Sequence, residues 1–358
     1  MPDRPLSGLR VVETAGVLAG PAVGMFMAEL GAHVVKVENK RAGGDITRQW
    51  KLPEEDPASP VSAYFSSVNH GKEHRLIDLK DPAGQAEAHA LIAQADILLT
   101  NHLAADAVKL GLERERLRNL NPRLVHGHIT GHPGDPQRPA FDVVLQAECG
   151  YIGMTGTEAA PAKLPVAMID ILAAHQLKEG LLVALMQRER TGHGAYVEVS
   201  LEEAALTGLV NQASNLLMAG HVARPLGTLH PNIAPYGELF TCADGGRVVL
   251  AVGSDAAFQG LCRVLGLAAL PTDPRFADNA RRVRHRHALA GLLAPAVAGH
   301  ERDDLLRALR AAGVPAGAVR GMDEVLASPA ARAMVVEETI DGAITHRLRG
   351  NVFRIGPL

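Results

Sequence analysis

The fold is decided by residues 9–38, which read LRVVETAGVLAGPAVGMFMAELGAHVVKVE. This stretch begins with the short apolar run Leu9–Glu13, continues with helically spaced apolar residues over Ala22–Leu30, and ends with the valine-rich run His33–Glu38. Helical spacing between two runs rich in β-branched residues predicts a strand, a helix and a strand. Gly31 follows the helix where a glycine commonly ends one. The stretch therefore predicts a βαβ unit with two parallel strands.

The same alternation continues further along the chain. Strands are predicted at Arg75–Leu79, Asp96–Thr100 and Arg123–Thr130, and a helix is predicted after Pro82. Short strands that alternate with helices are typical of a doubly wound parallel sheet. We therefore expect an α/β protein.

A change of organisation is predicted near residue 223. Before it come a long helix over Asp170–Arg190, a strand at Val197–Ser200, and a second helix that continues to about Met218. Residues 223–246 are rich in proline and glycine, as connectors between domains often are. A chain of 358 residues also suits two domains. A strand at Val248–Val252 and a helix after Ser254 would open the second.

Composition excludes several classes of partner. The formal net charge is −3, with 36 Lys+Arg against 39 Asp+Glu, so no global field would attract nucleic acid or an anionic membrane. No run of about 18 apolar residues is present, and Met1–Arg10 lacks the apolar run of a signal peptide. Cys149, Cys242 and Cys262 are scattered, which suits a reducing compartment. We expect a cytoplasmic protein.

The basic tract RRVRHRH, residues 281–287, carries no interleaved aromatic residue. A solvated helix face explains it better than a nucleic-acid patch does. We therefore predict no chemistry for this tract.

The turn after the first strand places glycines where a backbone approaches a phosphate. Gly16, Gly20 and Gly24 are each separated by three residues, whereas a dinucleotide fingerprint needs G-x-G-x-x-G. Glu38 occupies the place of a ribose-binding acid, but without the fingerprint it is weak support for NAD. The spacing thus disfavours NAD binding.

Basic residues cluster near the predicted strand ends, where α/β sheets bind ligands. Each one by itself is best explained as solvated surface charge, whereas the set together suits a polyphosphate. The set is Lys36, Lys40, Arg41, Arg48, Lys72, Arg75 and Lys109.

Asp170 follows the apolar run Val166–Ile169 at the start of the long helix. Position alone favours an ordinary helix cap, and the same holds for Asp142. His126, His128 and His132 have no carboxylate or cysteine in ligand spacing, so we expect no metal site.

Several strings together resemble the family III CoA-transferases, which include formyl-CoA and carnitine CoA-transferases and the related α-methylacyl-CoA racemases. The resemblance runs from about residue 6 to 356. The strings are LSGLRVVETAGVLAGPAVGMFMAELGAHVVKVE (6–38), GGDITR (43–48), NHGKEHRLIDLKDPAG (69–84), NPRLVHGHITG (121–131), RERTGHGAYVEVSLEEAAL (188–206), HPNIAPYGELFTCADGG (230–246) and AVGSD (251–255).

The resemblance implies covalent catalysis by Asp170, which follows the family's P-x-x-x-x-D run. Its carboxylate would attack an acyl-CoA to give an aspartyl-acyl anhydride, CoA would return to give an aspartyl-CoA thioester, and an acceptor carboxylic acid would collect the CoA. The helix N-terminus would hold Asp170 ionised, and backbone N–H groups would stabilise the oxyanions. No permanently bound cofactor is implied, since CoA and acyl-CoA are substrates.

The resemblance also implies the residues that contact CoA. Val17, Leu18 and Ala19 would line the thiol arm, Ile77 the adenine, and Asn101 and His102 the pantetheine. Lys109 would contact a phosphate, and Leu201 would also touch the cofactor. Asn39 stands where formyl-CoA transferase has an arginine on the adenine side, so Lys40 or Arg41 would take that function.

Departures from the family pattern bear on the reaction. Leu18 replaces an active-site glutamine, so formate or oxalate specificity is not implied. Racemases of the family have a histidine base just before the residue that matches Asp142, and Phe141 stands there instead. The transferase is the leading interpretation. The racemase and a non-catalytic homologue that binds CoA or NAD stay open.

The implied architecture is a large Rossmann-like domain, residues 1–222 completed by 330–358, with a smaller α/β domain at 223–329. Relatives form interlocked homodimers, with the active site between the large domain of one chain and the small domain of its partner. A homodimer is therefore expected. The chain ends at Leu358, short of the terminal helix that many relatives carry.

Overall fold

A computed structural model describes residues 4–356 of the chain. The predicted N-terminal segment and the predicted tail lie partly outside the described residues, at 1–3 and 357–358. The helices are α1 (Ala19–Glu29), α2 (Ala63–Asn69), α3 (Pro82–Ile92), α4 (Ala104–Lys109), α5 (Arg114–Leu120), α6 (Asp142–Glu148), α7 (Tyr151–Met154), α8 (Met168–Thr191), α9 (Leu201–Gly208), α10 (Val210–Ala219), α11 (Asp255–Val264), α12 (Asn279–Arg284), α13 (Arg286–Ala298), α14 (Arg302–Ala311), α15 (Met322–Leu326) and α16 (Pro329–Arg332).

Short 3₁₀ helices lie at Lys40–Ala42, Ile46–Gln49 and Leu270–Thr272. The strands are β1 (Arg10–Glu13), β2 (His33–Asn39), β3 (Lys72–Ile77), β4 (Ile97–Thr100), β5 (Val125–Thr130), β6 (Gly156–Thr157), β7 (Ala160–Pro161), β8 (Ala195–Ser200), β9 (Tyr236–Thr241), β10 (Arg247–Ala251), β11 (Ala316–Val319), β12 (Val335–Ile340) and β13 (Ala343–Leu348).

A six-stranded sheet in the order β3-β2-β1-β4-β5-β8 organises the first part of the chain. All five strand pairings are parallel. The predicted α/β architecture with a parallel sheet is therefore confirmed. The strand order reverses between β1 and β4, and open α/β sheets bind ligands at such a switch point, beyond the carboxyl ends of the strands.

The first βαβ unit forms because its apolar residues are buried on both faces of the sheet. Val12, Val35 and Leu98 join the core beneath α3 and α5, whereas α1 packs on α8. Gly31 turns the chain between α1 and β2 with a φ of 104°, a conformation that a side chain disfavours. Helices thus cover the sheet on both faces.

Two predicted elements differ from the structure. The strand expected at Arg75–Leu79 runs from Lys72 to Ile77. It begins earlier than expected because Lys72 and Glu73 extend it with polar residues, which hide the apolar signal. The helix expected to continue to Met218 is interrupted: Val210 has a φ of 42°, so α9 ends and α10 begins there. A left-handed residue breaks the helical hydrogen-bond ladder, and apolar spacing does not register it.

Contacts within the chain define two compact units. The first comprises Met1–Tyr151, Lys163–Ala223 and Ala333–Leu358, and the second comprises Ile152–Ala162 and Arg224–Arg332. The short β6–β7 hairpin therefore groups with the second unit. The predicted division into two domains, a large one of residues 1–222 completed by 330–358 and a small one of residues 223–329, stays a prediction.

The second unit contains an antiparallel sheet in the order β11-β10-β9. Its core is apolar and includes Phe240, Val248, Phe258 and Leu293, all buried.

The basic tract at 281–287 is not simply a solvated face, which corrects the sequence interpretation. Arg282 is completely buried. Its guanidinium donates to Asp255 Oδ1 at 2.7 Å and to the carbonyl oxygens of Ala234 and Phe276. Three acceptors and the nearby Phe258 ring compensate its removal from water. Arg282 is therefore a structural residue, whereas Arg281 is exposed as expected.

Within the residues that the structure describes, no helix is long and apolar enough to cross a membrane.

Candidate active site

Asp170 lies in the first turn of α8, at the carboxyl edge of the parallel sheet, and is only 9% exposed. It lines a cleft of about 100 Å³. Within residues 4–356 no protein group donates a hydrogen bond to its carboxylate oxygens. This carboxylate is therefore open to a ligand that enters the cleft.

Asp142 caps the helix that carries Asp170. Its Oδ2 accepts the backbone N–H of Ile169 at 2.7 Å and that of Asp170 at 3.4 Å. Gln146, fully buried on α6, donates to Asp142 Oδ1 and accepts the N–H of Leu164. Asp142 thus satisfies the first amides of α8 from another element and fixes the start of that helix.

The pKa of Asp170 is raised to about 7, first by burial and then by the negative charge of Asp142. Burial and Asp142 therefore oppose the helix N-terminus, which was expected to hold Asp170 ionised, and that expectation stays a prediction. Burial penalises the charged form, and no protein hydrogen bond among residues 4–356 compensates it. A carboxyl group whose pKa lies near neutrality is a common feature of catalytic sites.

The turn after β1 forms the opposite wall of the cleft. Gly16, Val17, Leu18 and Ala19 line it together with Asp170. Leu18 precedes α1 without a side-chain cap, and the first turn of α1 contains no acidic residue. Pro21 has no N–H and the N–H of Ala22 donates to Leu18 O at 2.8 Å, so the N–H groups of Ala19 and Gly20 are the ones that start α1 without a partner among residues 4–356.

Six of the residues expected to bind CoA line the same cleft as Asp170. These are Val17, Leu18, Ala19, Asn101, His102 and Leu201. Asn101 connects β4 to the β1 turn, because its Nδ2 donates to Gly16 O and its Oδ1 accepts from Gly16 N.

Ile77 and Lys109 line a second cavity of about 240 Å³, to which His102 also contributes. His102 therefore belongs to both spaces. Burial and the neighbouring His128 lower the pKa of His102 to about 4, so it is neutral at physiological pH.

Lys40 and Arg41 line neither space. Both are exposed. Arg41 Nε lies 2.5 Å from Oδ2 of Asp78, and Asp78 lines the second cavity. Arg41 is close to that cavity through Asp78, and Lys40 directly follows Asn39, which also lines it, so their predicted contact with CoA stays a prediction.

Three of the strand-end cations are unavailable to a polyphosphate, which corrects the sequence interpretation. Lys36 and Lys72 are buried, and both bind Glu13 at 2.9 Å. Arg48 is buried against Glu38. Each of these charges is neutralised inside the protein, since a buried cation without a partner would be costly.

The strand histidines bind hydroxyl and carboxylate groups. His126 Nε2 and His128 Nδ1 both contact Thr100 Oγ1, at 2.8 and 2.7 Å. His132 Nδ1 lies 3.1 Å from Glu202 Oε2.

Two further residues near Asp170 were missed from the sequence. Tyr64 on α2 has its pKa raised to about 12, first by burial and then by the charges of Asp170 and Asp142. Arg138 lines the cleft and pairs with Glu148. Neither residue belongs to a recognisable motif, so only the folded chain shows their proximity.

Comparison with known proteins assigns the family. The family model for CoA-transferase family III matches residues 6–356. The chain belongs to the family III CoA-transferases. This family III CoA-transferase is similar to the succinate–glutarate CoA-transferase of Agrobacterium fabrum, with 37% identity over 98% of this chain and 90% of that protein.

An acetyl-CoA:oxalate CoA-transferase of Acetobacter aceti is 32% identical over 94% of this chain and 86% of its own. The crystal structure of a CAIB/BAIF family protein from Brucella suis matches with a TM-score of 0.85 and 35% identity, covering 98% of this chain and 92% of that one. The protein is therefore a transferase whose relatives act on CoA thioesters.

Proposed function

We propose that this family III CoA-transferase moves CoA from an acyl-CoA to a carboxylic acid through covalent intermediates on Asp170. The observation that carries the proposal is the buried Asp170 carboxylate, free of protein donors among residues 4–356, in the cleft that also contains the N-terminus of α1. A nucleophile must have an unoccupied lone pair and a path to its substrate.

The steps balance without any external base. Asp170 attacks the thioester carbonyl, forming a C–O bond and expelling CoA thiolate, which leaves an aspartyl-acyl anhydride. CoA thiolate then attacks the aspartyl carbonyl, releasing the first carboxylate and leaving an aspartyl-CoA thioester. The acceptor carboxylate repeats these two steps in reverse order. Once Asp170 is ionised, every nucleophile and leaving group is an anion, so no proton has to be moved within the cycle.

The N–H groups of the first turn of α1 are suited to stabilise the oxyanion of each tetrahedral intermediate. The N–H groups concerned are those of Ala19 and Gly20, which have no side-chain cap, and Ala19 borders the cleft that contains Asp170. Preorganised backbone donors of this kind contribute about 3 kcal/mol each to acyl transfer. We further propose that Asn101 and His102 contact the pantetheine arm, and that Ile77 and Lys109 contact the nucleotide end in the second cavity.

A short dicarboxylate is the proposed acceptor. The relatives compared above act on succinate, glutarate or oxalate according to their names. Within the cleft, Arg138 is the cationic side chain, and it is paired with the exposed Glu148, a pair that a ligand carboxylate can replace at small cost.

A homodimer is the proposed assembly. Apolar side chains stand exposed on α8 and α10 among the described residues. These are Val183, Met186, Leu216, Leu217 and Met218, of which Leu217 and Met218 are more than 80% exposed. Exposed apolar clusters of this kind mark interaction surfaces.

The test of the reaction is mass spectrometry of the protein after incubation with succinyl-CoA or acetyl-CoA, followed by quenching with hydroxylamine or borohydride. Wild type should carry an adduct that maps to Asp170, and Asp170→Ala should carry none. Asp135→Ala, which removes an exposed aspartate outside the cleft, is the matched control and should label like wild type.

An adduct on another residue would overturn the assignment of Asp170. Absence of any adduct together with exchange of the α-proton in deuterated water would indicate a racemase instead. Absence of both would indicate a non-catalytic homologue.

A further inference from the structure

Val17 has a φ of 71°, in the left-handed region. Such a conformation is a genuine outlier for a β-branched residue, because its side chain crowds the backbone. Strained residues persist only where the surrounding structure holds them. Val17 lines the cleft of Asp170 and comes two residues before α1 begins, so its conformation sets the direction of that helix start.

Hydrogen bonds hold the strained residue and the residue before it. Asn101 binds both the N–H and the carbonyl of Gly16, at 3.1 and 3.0 Å. The N–H of Val17 itself donates to Asp45 Oδ2 at 3.3 Å. Gly16 also permits the close approach of Asp45, since an added Cβ would lie 3.3 Å from Asp45 Oδ2.

Asp45 is fixed in turn by four further contacts. Its Oδ1 caps the short 3₁₀ helix by accepting from Thr47 N at 3.0 Å and from Thr47 Oγ1 at 2.8 Å. Its backbone N–H donates to Glu38 Oε2 at 2.7 Å. Lys36 Nζ lies 3.2 Å from Oδ2, and the Asp45 side chain is only 3% exposed.

We propose that Asp45 is a positioning residue for the transfer reaction: its buried carboxylate holds Val17 left-handed and so aims the first N–H groups of α1 at the carbonyl formed on Asp170. The inference rests on the proposed function. Asp45 does not line the cleft, and it acts through the backbone of Val17.

The charged neighbours of Asp45 decide how it can be tested. Glu13, Lys36 and Lys72 form a buried cluster with it, two carboxylates against two ammonium groups. Asp45→Asn leaves that cluster with one excess positive charge, so loss of activity alone would not separate a fold effect from a positioning effect. Glycine at position 17 makes the separation, because glycine adopts a positive φ without strain.

The experiment compares wild type, Asp45→Asn, Val17→Gly and the double variant. One readout is the rate of adduct formation on Asp170, and the other is hydrogen exchange in the peptide that spans residues 14–22. Asp45→Asn should slow adduct formation by at least about tenfold and speed exchange at Val17 and Leu18. Val17→Gly also removes a side chain that lines the cleft, so its own rate is the reference for the double variant. The double variant should form the adduct at a rate within about threefold of the Val17→Gly rate.

Asp341→Asn is the matched control. Asp341 is half-exposed and pairs with the buried Arg48, so the control also removes a carboxylate from a buried cation, but it leaves the Val17 turn untouched. It should form the adduct and exchange like wild type.

Wild-type adduct rate or wild-type exchange in Asp45→Asn overturns the inference, as does an effect of Asp45→Asn on the adduct rate that is as large in the Val17→Gly background as in wild type. If wild type itself forms no adduct, the proposed function fails, while hydrogen exchange still decides whether Asp45 holds the turn. If Asp45→Asn does not fold, Val17→Pro replaces it. Proline keeps the charge cluster but lacks the N–H and the positive φ, so an unimpaired rate overturns the inference there too.

Discussion

At the scale of single residues, the ionisation of Asp170 connects structure to activity. Its pKa is raised to about 7 by burial and by Asp142, whereas a solvated aspartate has a pKa of 3.8. Only the ionised form is a nucleophile. A substantial fraction of Asp170, the proposed nucleophile, is therefore protonated at neutral pH.

The rate of adduct formation on Asp170 should rise with pH through a midpoint of about 7. Asp142→Asn should move that midpoint to lower pH, because it removes the neighbouring negative charge. Single-turnover rates between pH 5 and 9 measure both midpoints. An unchanged midpoint in Asp142→Asn would show that Asp142 does not contribute to the raised pKa.

The same shift makes stability depend on pH. Between pH 3.8 and about 7 the folded protein keeps a proton on Asp170 that the unfolded chain has lost, so this group's contribution to stability falls as pH rises through that window. Asp170→Asn removes the penalty. Its melting temperature should exceed that of wild type by on the order of 5 °C at pH 8 and match it at pH 4.5. Equal melting temperatures at both pH values would contradict a raised pKa.

At the scale of secondary-structure elements, α1 packs closely over the buried charge cluster. A Cβ on Gly24 would lie 1.8 Å from Glu13 Oε2, which itself binds Lys72. The helix can approach β1 only because Gly24 lacks a side chain.

Gly24→Ala should therefore lower the free energy of unfolding by about 2 kcal/mol or more, through overpacking and displacement of the Glu13 carboxylate. Gly291→Ala is the control, in the interior of α13, where an added Cβ meets nothing within 4 Å. It should raise stability by about 0.5–1 kcal/mol. Urea unfolding of both variants measures the difference, and equal effects would refute the packing argument.

Sequence patterns predicted the elements whose signal is local. The spacing of apolar residues over 9–38 predicted β1, α1 and β2 because each depends on neighbours within one turn or one strand. The same reasoning misplaced the start of β3 and overlooked the break at Val210. The spacing of apolar residues does not reveal a buried lysine whose carboxylate partner is distant in the sequence. It does not reveal a single left-handed residue either.

The residues of the candidate site likewise include some that the sequence predicted and some that only the folded structure reveals. Asp170 and the turn at 16–19 were identified from family strings, and the structure brings these residues into one cleft. The cap from Asp142 to α8 joins residues 27 and 28 positions apart, and Asp45 reaches Val17 across 28. Contacts between residues so far apart in the sequence depend on the folded sheet, so no local sequence pattern predicts them.

At the scale of the whole molecule, the exposed apolar residues of α8 and α10 bear on assembly. If these surfaces join two copies of the chain, substitution of Leu217 and Met218 by glutamate should shift light-scattering mass from dimer to monomer, because charged groups resist burial. Leu292→Glu, on α13 of the second unit, is the control and should leave the mass unchanged. A wild-type monomer would refute the proposed homodimer.

The raised pKa of Asp170 also makes this carboxyl group a target for selective chemical modification. Carbodiimides activate carboxyl groups in their protonated form, and solvated aspartates and glutamates are almost fully ionised at pH 7. The buried carboxyl at the start of α8 is protonated there to a substantial extent. A small carbodiimide with an amine tag should therefore label Asp170 ahead of the ordinary surface carboxylates. The raised pKa of one aspartate would then allow selective chemical labelling of the candidate active site.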